Sequence, residues 1–204
     1  MLDQSEFGWG RGFAVLVLCL VAGVFFFGAV VWFAGPVYRL RMGPTSGMVP
    51  TVNPGETVLV KRWDAKKDHV RRYQLVVCRM PDLPDQIVIR RVVGLPGEQV
   101  EVRTNGLVIN GRALPERELP EVLRGQTWLP KYSWLPEERV KAMFLRTWQV
   151  GTNQVFVVGD NLLKSRDSRM WGPLPLTNIT GLVVKKIDSR GREVDLSGPF
   201  QQSK

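Results

Sequence analysis

Val158-Gly-Asp-Asn-Leu-Leu-Lys-Ser-Arg-Asp-Ser-Arg-Met-Trp-Gly-Pro173 is the stretch that decides the fold. It follows a short β-branched run, Gln154-Val-Phe-Val-Val158, whose composition is that of a strand. The charged loop after the strand holds Asp167 and Arg169, two residues apart. An ion pair between them can pin such a loop over a sheet, where it specifies geometry more than it adds stability.

Working outward, the same strand-and-turn grammar repeats. Thr57-Val-Leu-Val-Lys61 follows the turn Asn53-Pro-Gly-Glu56. Gln74–Cys78, Gln86–Val93, Gln99–Arg103, Leu107–Asn110 and Gly181–Ile187 are short, and most are β-branched. Asn105-Gly106 and Asn110-Gly111 are hairpin signals. Seven or eight short strands with Gly and Pro turns predict a mostly β fold, a β-barrel or sandwich-like domain over 42–188. Residues 113–150 interrupt the pattern with Pro115, Pro120, Pro130 and Pro136 and with Trp128, Trp134 and Trp148. They read as an insertion packed on the barrel, with a short helix over Pro136–Leu145 and Pro136 at an early helical position. The tail 189–204 is polar and reads as loose.

Upstream, residues 12–38 carry no charge. At about 1.5 Å per residue such a run exceeds the roughly 20 residues that cross a bilayer core. It is too long for a signal-peptide core, and no small-residue cleavage pattern follows it. The reading is a retained single transmembrane anchor within residues 1–41, ended by Gly35-Pro36, with the lipid bilayer as a partner. Arg39 and Arg41 outnumber Arg11 across the span. This leans the domain toward the cytoplasmic or matrix side.

The chain has 204 residues and a formal net charge of +9. Two cysteines, Cys19 and Cys78, exclude a disulfide scaffold, and a single histidine, His69, leaves a zinc site short of ligands. No metal and no cofactor is expected. Basic pairs recur at Lys61-Arg62, Lys66-Lys67, Arg71-Arg72, Arg90-Arg91 and Lys185-Lys186. They suit a solvated face, anionic lipid headgroups or RNA. No RNA-recognition signature accompanies them, and the sequon Asn178-Ile-Thr180 is read as incidental.

Three pieces line up in order: Pro44-Thr-Ser-Gly-Met-Val-Pro-Thr51 with Asn53-Pro-Gly-Glu56; Ile89-Arg-Arg-Val-Val-Gly-Leu-Pro-Gly-Glu98; and the Val158–Pro173 box. Together, after an apolar span, they resemble the type I signal peptidase family. Asn53–Glu56 and Lys61-Arg-Trp63 point in particular to its mitochondrial inner membrane peptidase branch. The resemblance implies a membrane-anchored serine endopeptidase that removes targeting segments with a Ser nucleophile and a Lys base. It also implies a mitochondrial inner membrane location, with the domain facing the intermembrane space, opposite to the charge bias.

Both chemical positions depart from that pattern. Gly47 stands where the nucleophilic Ser is expected and Arg90 where the Lys is expected. Glycine has no nucleophile, and a guanidinium does not deprotonate in a protein, so it cannot act as a base. The rest of the site is retained by resemblance. Thr45 and the Gly47 backbone N–H match the oxyanion hole, and Ser165 matches the hydroxyl beside the base. Asp160 belongs to the supporting box, and Asp167 and Arg169 match its bracing ion pair. With Arg90 present, Ser165 or Asp160 is expected to accept from the guanidinium. Ser46 is the candidate for a displaced nucleophile; in an extended segment it would face away from the site. His69, in a charged loop, reads as a solvated histidine rather than a base.

These observations imply a catalytically inactive, signal-peptidase-like protein that acts as a binding or structural subunit of a membrane complex. Its partners would be protein subunits, or an extended peptide in the retained groove. The alternatives are an active peptidase built on Ser46 and a basic, membrane-tethered subunit of a ribonucleoprotein assembly.

Overall fold

The structure, a computed structural model, describes residues 15–23, 37–129 and 136–198. The chain divides into two units, Met1–Val37 and Tyr38–Lys204. In the first, residues 15–23 are helical and exposed. Residues 12–14 and 24–36 of the predicted span lie outside the described residues. Among the described residues no helix is long and apolar enough to cross a membrane.

The second unit is mostly β, as expected. Its strands are β1 (Val37–Arg41), β2 (Thr57–Arg62), β3 (Leu75–Arg79), β4 (Ile87–Gly94), β5 (Gln99–Arg103) and β6 (Gly106–Ile109). They continue as β7 (Arg112–Ala113), β8 (Thr147–Gln149), β9 (Gln154–Val158), β10 (Leu174–Pro175), β11 (Ile179–Ile187) and β12 (Glu193–Asp195). Two short helices, α1 (Glu137–Phe144) and α2 (Ser168–Trp171), interrupt them. The larger sheet runs β1-β2-β11-β3-β4-β9-β10, with β12 also paired to β11, and the smaller runs β7-β6-β5-β8. Every recorded pairing is antiparallel.

All seven β-branched runs read from the sequence form strands. The Asn110-Gly111 signal becomes the two-residue turn between β6 and β7, with Ile109 paired to Arg112. Both residues have positive φ, 51° and 78°, which a type I′ turn requires and Asn-Gly supplies at little steric cost. The first hairpin turns instead at Thr104-Asn105, because Gly106 is already paired with Arg103.

β4 lies between β3 and β9, and seven of its eight residues are buried. Its side chains alternate between two cores. Ile89 packs with Met48, Val58, Val60, Leu75, Val77 and Val183. Val88 and Val92 pack with Val76, Cys78, Val155, Val157 and Leu182. A third core joins Val93, Phe156 and Val158 to Val100, Val102, Leu107 and Ile109 of the smaller sheet. Residues 113–150 contribute Leu119, Leu123 and the fully buried Trp128 to this third core.

Three details differ from the sequence reading. Pro136 caps α1 from outside rather than sitting within it, where its missing N–H costs no helical bond. The residues read as the end of the apolar run form edge strand β1. Part of the tail read as loose is ordered as β12, with Leu196 buried behind it.

Candidate functional site

The site gathers where the turn 47–52, the centre of β4 and the loop after β9 meet. The segment before β2 is a turn at Gly47 rather than an extended strand. Gly47 and Met48 are buried, Thr45 and Ser46 half-buried. The Gly47 carbonyl accepts from Asn161 N–H at 3.0 Å, which ties this turn to the Gly-Asp-Asn box. Thr45 Oγ1 accepts from Gly47 N–H at 3.4 Å, so the two groups assigned to an oxyanion hole engage each other.

A Cβ added at Gly47 would meet Arg90 first: Nη1 at 3.5 Å, Cζ and Nη2 at 3.7 Å. Positions 47 and 90 therefore face each other at ordinary van der Waals distance.

Arg90 is buried. Its Nε and Nη2 both donate to the carbonyl of Arg166, at 3.1 and 2.8 Å, and its Nη1 donates to the carbonyl of Ile89 at 2.6 Å. Burial lowers its pKa, and the negative charge of Asp167 opposes that shift. The expectation that Ser165 or Asp160 accepts from this guanidinium is therefore corrected. The Arg90 side chain reaches the backbone of the 160–167 loop instead. Ser165 Oγ is buried and finds no partner among the described residues.

Asp160 is taken by the neighbouring arginine. Arg91 Nε donates to Asp160 Oδ1 at 2.7 Å and Nη2 to Oδ2 at 2.6 Å, a bidentate pair. Arg91 Nη1 donates to the Tyr73 carbonyl at 2.8 Å. The hydroxyl of Thr51 also donates to Asp160. Strand alternation explains the division of labour: Arg90 leaves β4 on the face of Val88 and Val92, Arg91 on the face of Ile89 and Val93.

Asp167 and Arg169 form a fully buried bidentate pair, Nε–Oδ1 2.8 Å and Nη2–Oδ2 2.9 Å. Arg169 also donates to the carbonyls of Trp128 and Leu162, and Asp167 accepts from Gly159 N–H at 2.9 Å. Asp167 caps α2 through Arg169 N–H, so part of the stretch read as a charged loop is a short helix. Burial pushes the Asp167 carboxyl up, but the charge and hydrogen bonds of Arg169 and the Gly159 N–H outweigh it. The carboxyl ends below its ordinary range.

Four residues of the site carried no assignment in the sequence: Thr51, Arg91, Gln126 and Gly159. Arg91 had a signal, since two adjacent arginines inside a β-branched run must each find an acceptor when buried. Gln126, from the insertion, donates to the Asp160 carbonyl at 2.8 Å and accepts from Leu162 N–H at 3.1 Å. Gly159 is required by close approach. A Cβ there would lie 2.2 Å from Ser165 Oγ and 2.4 Å from the Gly47 carbonyl oxygen.

His69 is exposed in the loop between β2 and β3. Among the described residues no group of three or more His, Cys, Asp or Glu is placed to hold a metal ion. The basic pairs are largely spoken for. Arg90 and Arg91 are buried, Arg72 pairs with Glu98, and Lys61 pairs with Asp68. Lys185 and Lys186 reach Glu193 and Glu56 at 2.9 and 3.4 Å.

The family model described as signal peptidase, peptidase S26, matches residues 12–187. The chain belongs to this family. Among its relatives, signal peptidase I V of Bacillus subtilis is 32% identical over 67% of this chain and 77% of its own length. Signal peptidase I of Leptolyngbya laminosa is 29% identical over 80% of this chain and 75% of its own. The chloroplastic thylakoidal processing peptidase 1 of Arabidopsis thaliana is 30% identical over 69% of this chain and 39% of its own. A crystal structure of a signal peptidase I from Enterococcus faecalis aligns with a TM-score of 0.40 at 26% identity. It covers 56% of this chain and 97% of that one. The family match takes in the three sequence pieces and begins with the uncharged run, at residue 12.

Proposed function

We propose that this chain is a membrane-anchored member of the signal peptidase family that does not hydrolyse peptide bonds, and that it serves as a binding or structural subunit of a membrane complex. One observation carries the reading: Gly47, without a side chain, faces the buried guanidinium of Arg90. A Ser/Lys mechanism needs a hydroxyl at the first position and a neutral amine at the second. Glycine supplies no hydroxyl. The guanidinium stays protonated and directs its donors to main-chain carbonyls.

The anchor rests on the uncharged run 12–38 and on its inclusion in the family match. A mitochondrial inner membrane rests on the resemblance of Asn53–Glu56 and Lys61–Trp63 to that branch. Partner subunits, or an extended peptide laid beside 44–49, are the partners such a retained groove suits. The displaced-nucleophile alternative gains no support, because the group that faces this turn is the Arg90 guanidinium, which cannot serve Ser46 as a base.

The test is cleavage of a precursor bearing a targeting segment by the detergent-solubilised full chain, beside Ser46→Ala. Silence of the natural protein supports the reading. Cleavage that Ser46→Ala abolishes would overturn it.

A further inference from the structure

The buried charges around the site do not balance. Among the described residues they are Arg90, Arg91 and Arg169 against Asp160 and Asp167. Asp160 is held by Arg91 and Thr51. Asp167 is held by Arg169 and the Gly159 N–H. Arg90 is left with the carbonyls of Ile89 and Arg166, which engage three of a guanidinium's five N–H groups and supply dipoles rather than charge. The nearby charge of Asp167 is already paired with Arg169, and a buried cation without an ion-pair partner of its own is costly.

Ser165 Oγ, from the residue before the Arg166 carbonyl that Arg90 engages, is an independent sign of a missing partner: buried, polar and unbonded among the described residues. The position above Gly159 meets both Ser165 Oγ and the Gly47 carbonyl oxygen, so these groups lie side by side. The direction out of Gly47 leads to Arg90 at contact distance. The glycine at 47 therefore leaves a Cβ position unfilled at contact distance from a guanidinium with N–H groups to spare, near a hydroxyl with no partner among the described residues. The deficit is one negative charge, which a carboxylate fills and a dianionic phosphate overshoots.

We propose that this space takes a carboxylate, the C-terminal carboxylate of an extended peptide, held by Arg90 and Ser165. The proposal rests on the reading that the site does not hydrolyse peptide bonds. It gives that site a ligand class: a peptide end rather than an internal peptide bond. The half-buried Thr45, Ser46 and Val49 border the position and offer the rest of the peptide a solvent-reachable edge.

The probe is a fluorescein-labelled hexapeptide of alanine and valine with a free C-terminal carboxylate. Its binding to the full chain in detergent is followed by anisotropy, with the C-terminal amide of the same peptide and sodium acetate as competitors. The acid should bind at least about tenfold more tightly than the amide, the worth of one charge-assisted contact. Arg90→Gln should remove that preference and Ser165→Ala should reduce it. Should Arg90→Gln fail to fold, the acid–amide comparison on the natural protein and Ser165→Ala carry the test. Equal binding of acid and amide, or no binding, overturns the proposal; acetate matching the peptide acid overturns its assignment to a peptide end. The precursor assay on the same preparation separates the two readings. Cleavage there sinks the inactive-subunit reading, whereas silence with equal acid and amide binding sinks only this one.

Discussion

Gly47 and Arg90 face each other across the site, with the Cβ position of one 3.5 Å from Nη1 of the other. The residues are 43 apart in sequence. A hydroxyl placed at 47 would project at whatever base stood at 90, and the loop carbonyl that Arg90 engages would be free to orient an amine.

The first prediction follows from that vector. Gly47→Ser with Arg90→Lys together should give measurable precursor cleavage, and each substitution alone should give none. A serine facing a guanidinium has no base, and a lysine facing a glycine has no nucleophile; the two act as a unit. Cleavage by the double variant should rise with pH, because the amine works only when neutral. The burial that lowers the Arg90 pKa would also lower that of a lysine there. Measurable cleavage by the single Gly47→Ser variant would show that another group acts as the base.

Two glycines of the site should respond differently to alanine. At Gly47 the new methyl meets Arg90 at ordinary contact distance, so stability should change little. At Gly159 it would lie 2.2 Å from Ser165 Oγ and 2.4 Å from a backbone oxygen, and the backbone cannot step aside. Gly159→Ala should cost about 1–3 kcal/mol, the usual range for overpacking. Denaturant unfolding followed by tryptophan fluorescence compares the two, and equal midpoints would refute the close-packing argument.

The longer strands were legible because each carries its own pattern: β2, β5 and β9 begin where the sequence placed them. β7, β8, β10 and β12 are two or three residues long, and such segments are strands only because a partner lies beside them. β1 was hidden by chemistry, since Val37 and Tyr38 continue an apolar run. In the site, the nearness of 47 and 90 was implied by the family resemblance, and the Asp167–Arg169 pair by that resemblance and by their separation of two residues. The acceptors of Arg90 did not, because a backbone carbonyl leaves no mark in the sequence. Gln126 was equally silent: a polar residue amid prolines and tryptophans gives no hint that it braces Asp160.

Cys78 offers a test of how dry the sheet interior is. The residue is fully buried on β3 among Val76, Val88 and Ile179. Burial pushes its thiol up to about 12, despite the nearby positive charge of Arg90. The thiolate is the reactive form, so Cys78 should stay inert to a thiol-specific disulfide reagent at pH 8 in a Cys19→Ser background. It should react fully once the protein is unfolded in guanidinium. Rapid modification of the folded variant would mean that the sheet opens readily at this face.

Asp167 should be the most sensitive carboxylate of the site. Asp167→Asn strands the guanidinium of Arg169, which is fully buried. Removing one member of a buried pair costs about 3–5 kcal/mol. Replacing both, Asp167→Leu with Arg169→Met, should cost less than the single change, because no uncompensated charge remains. The pH dependence has a definite sign. The folded carboxyl lies below its ordinary range, whereas an unfolded Asp titrates near about 3.9. The pair therefore contributes fully above the unfolded value, and its contribution is lost as pH falls through the folded one. Unfolding midpoints of the natural protein should drop steeply below about pH 4. The double variant should show a shallower acid limb, and parallel limbs for the two proteins would mean that other carboxylates carry the acid sensitivity.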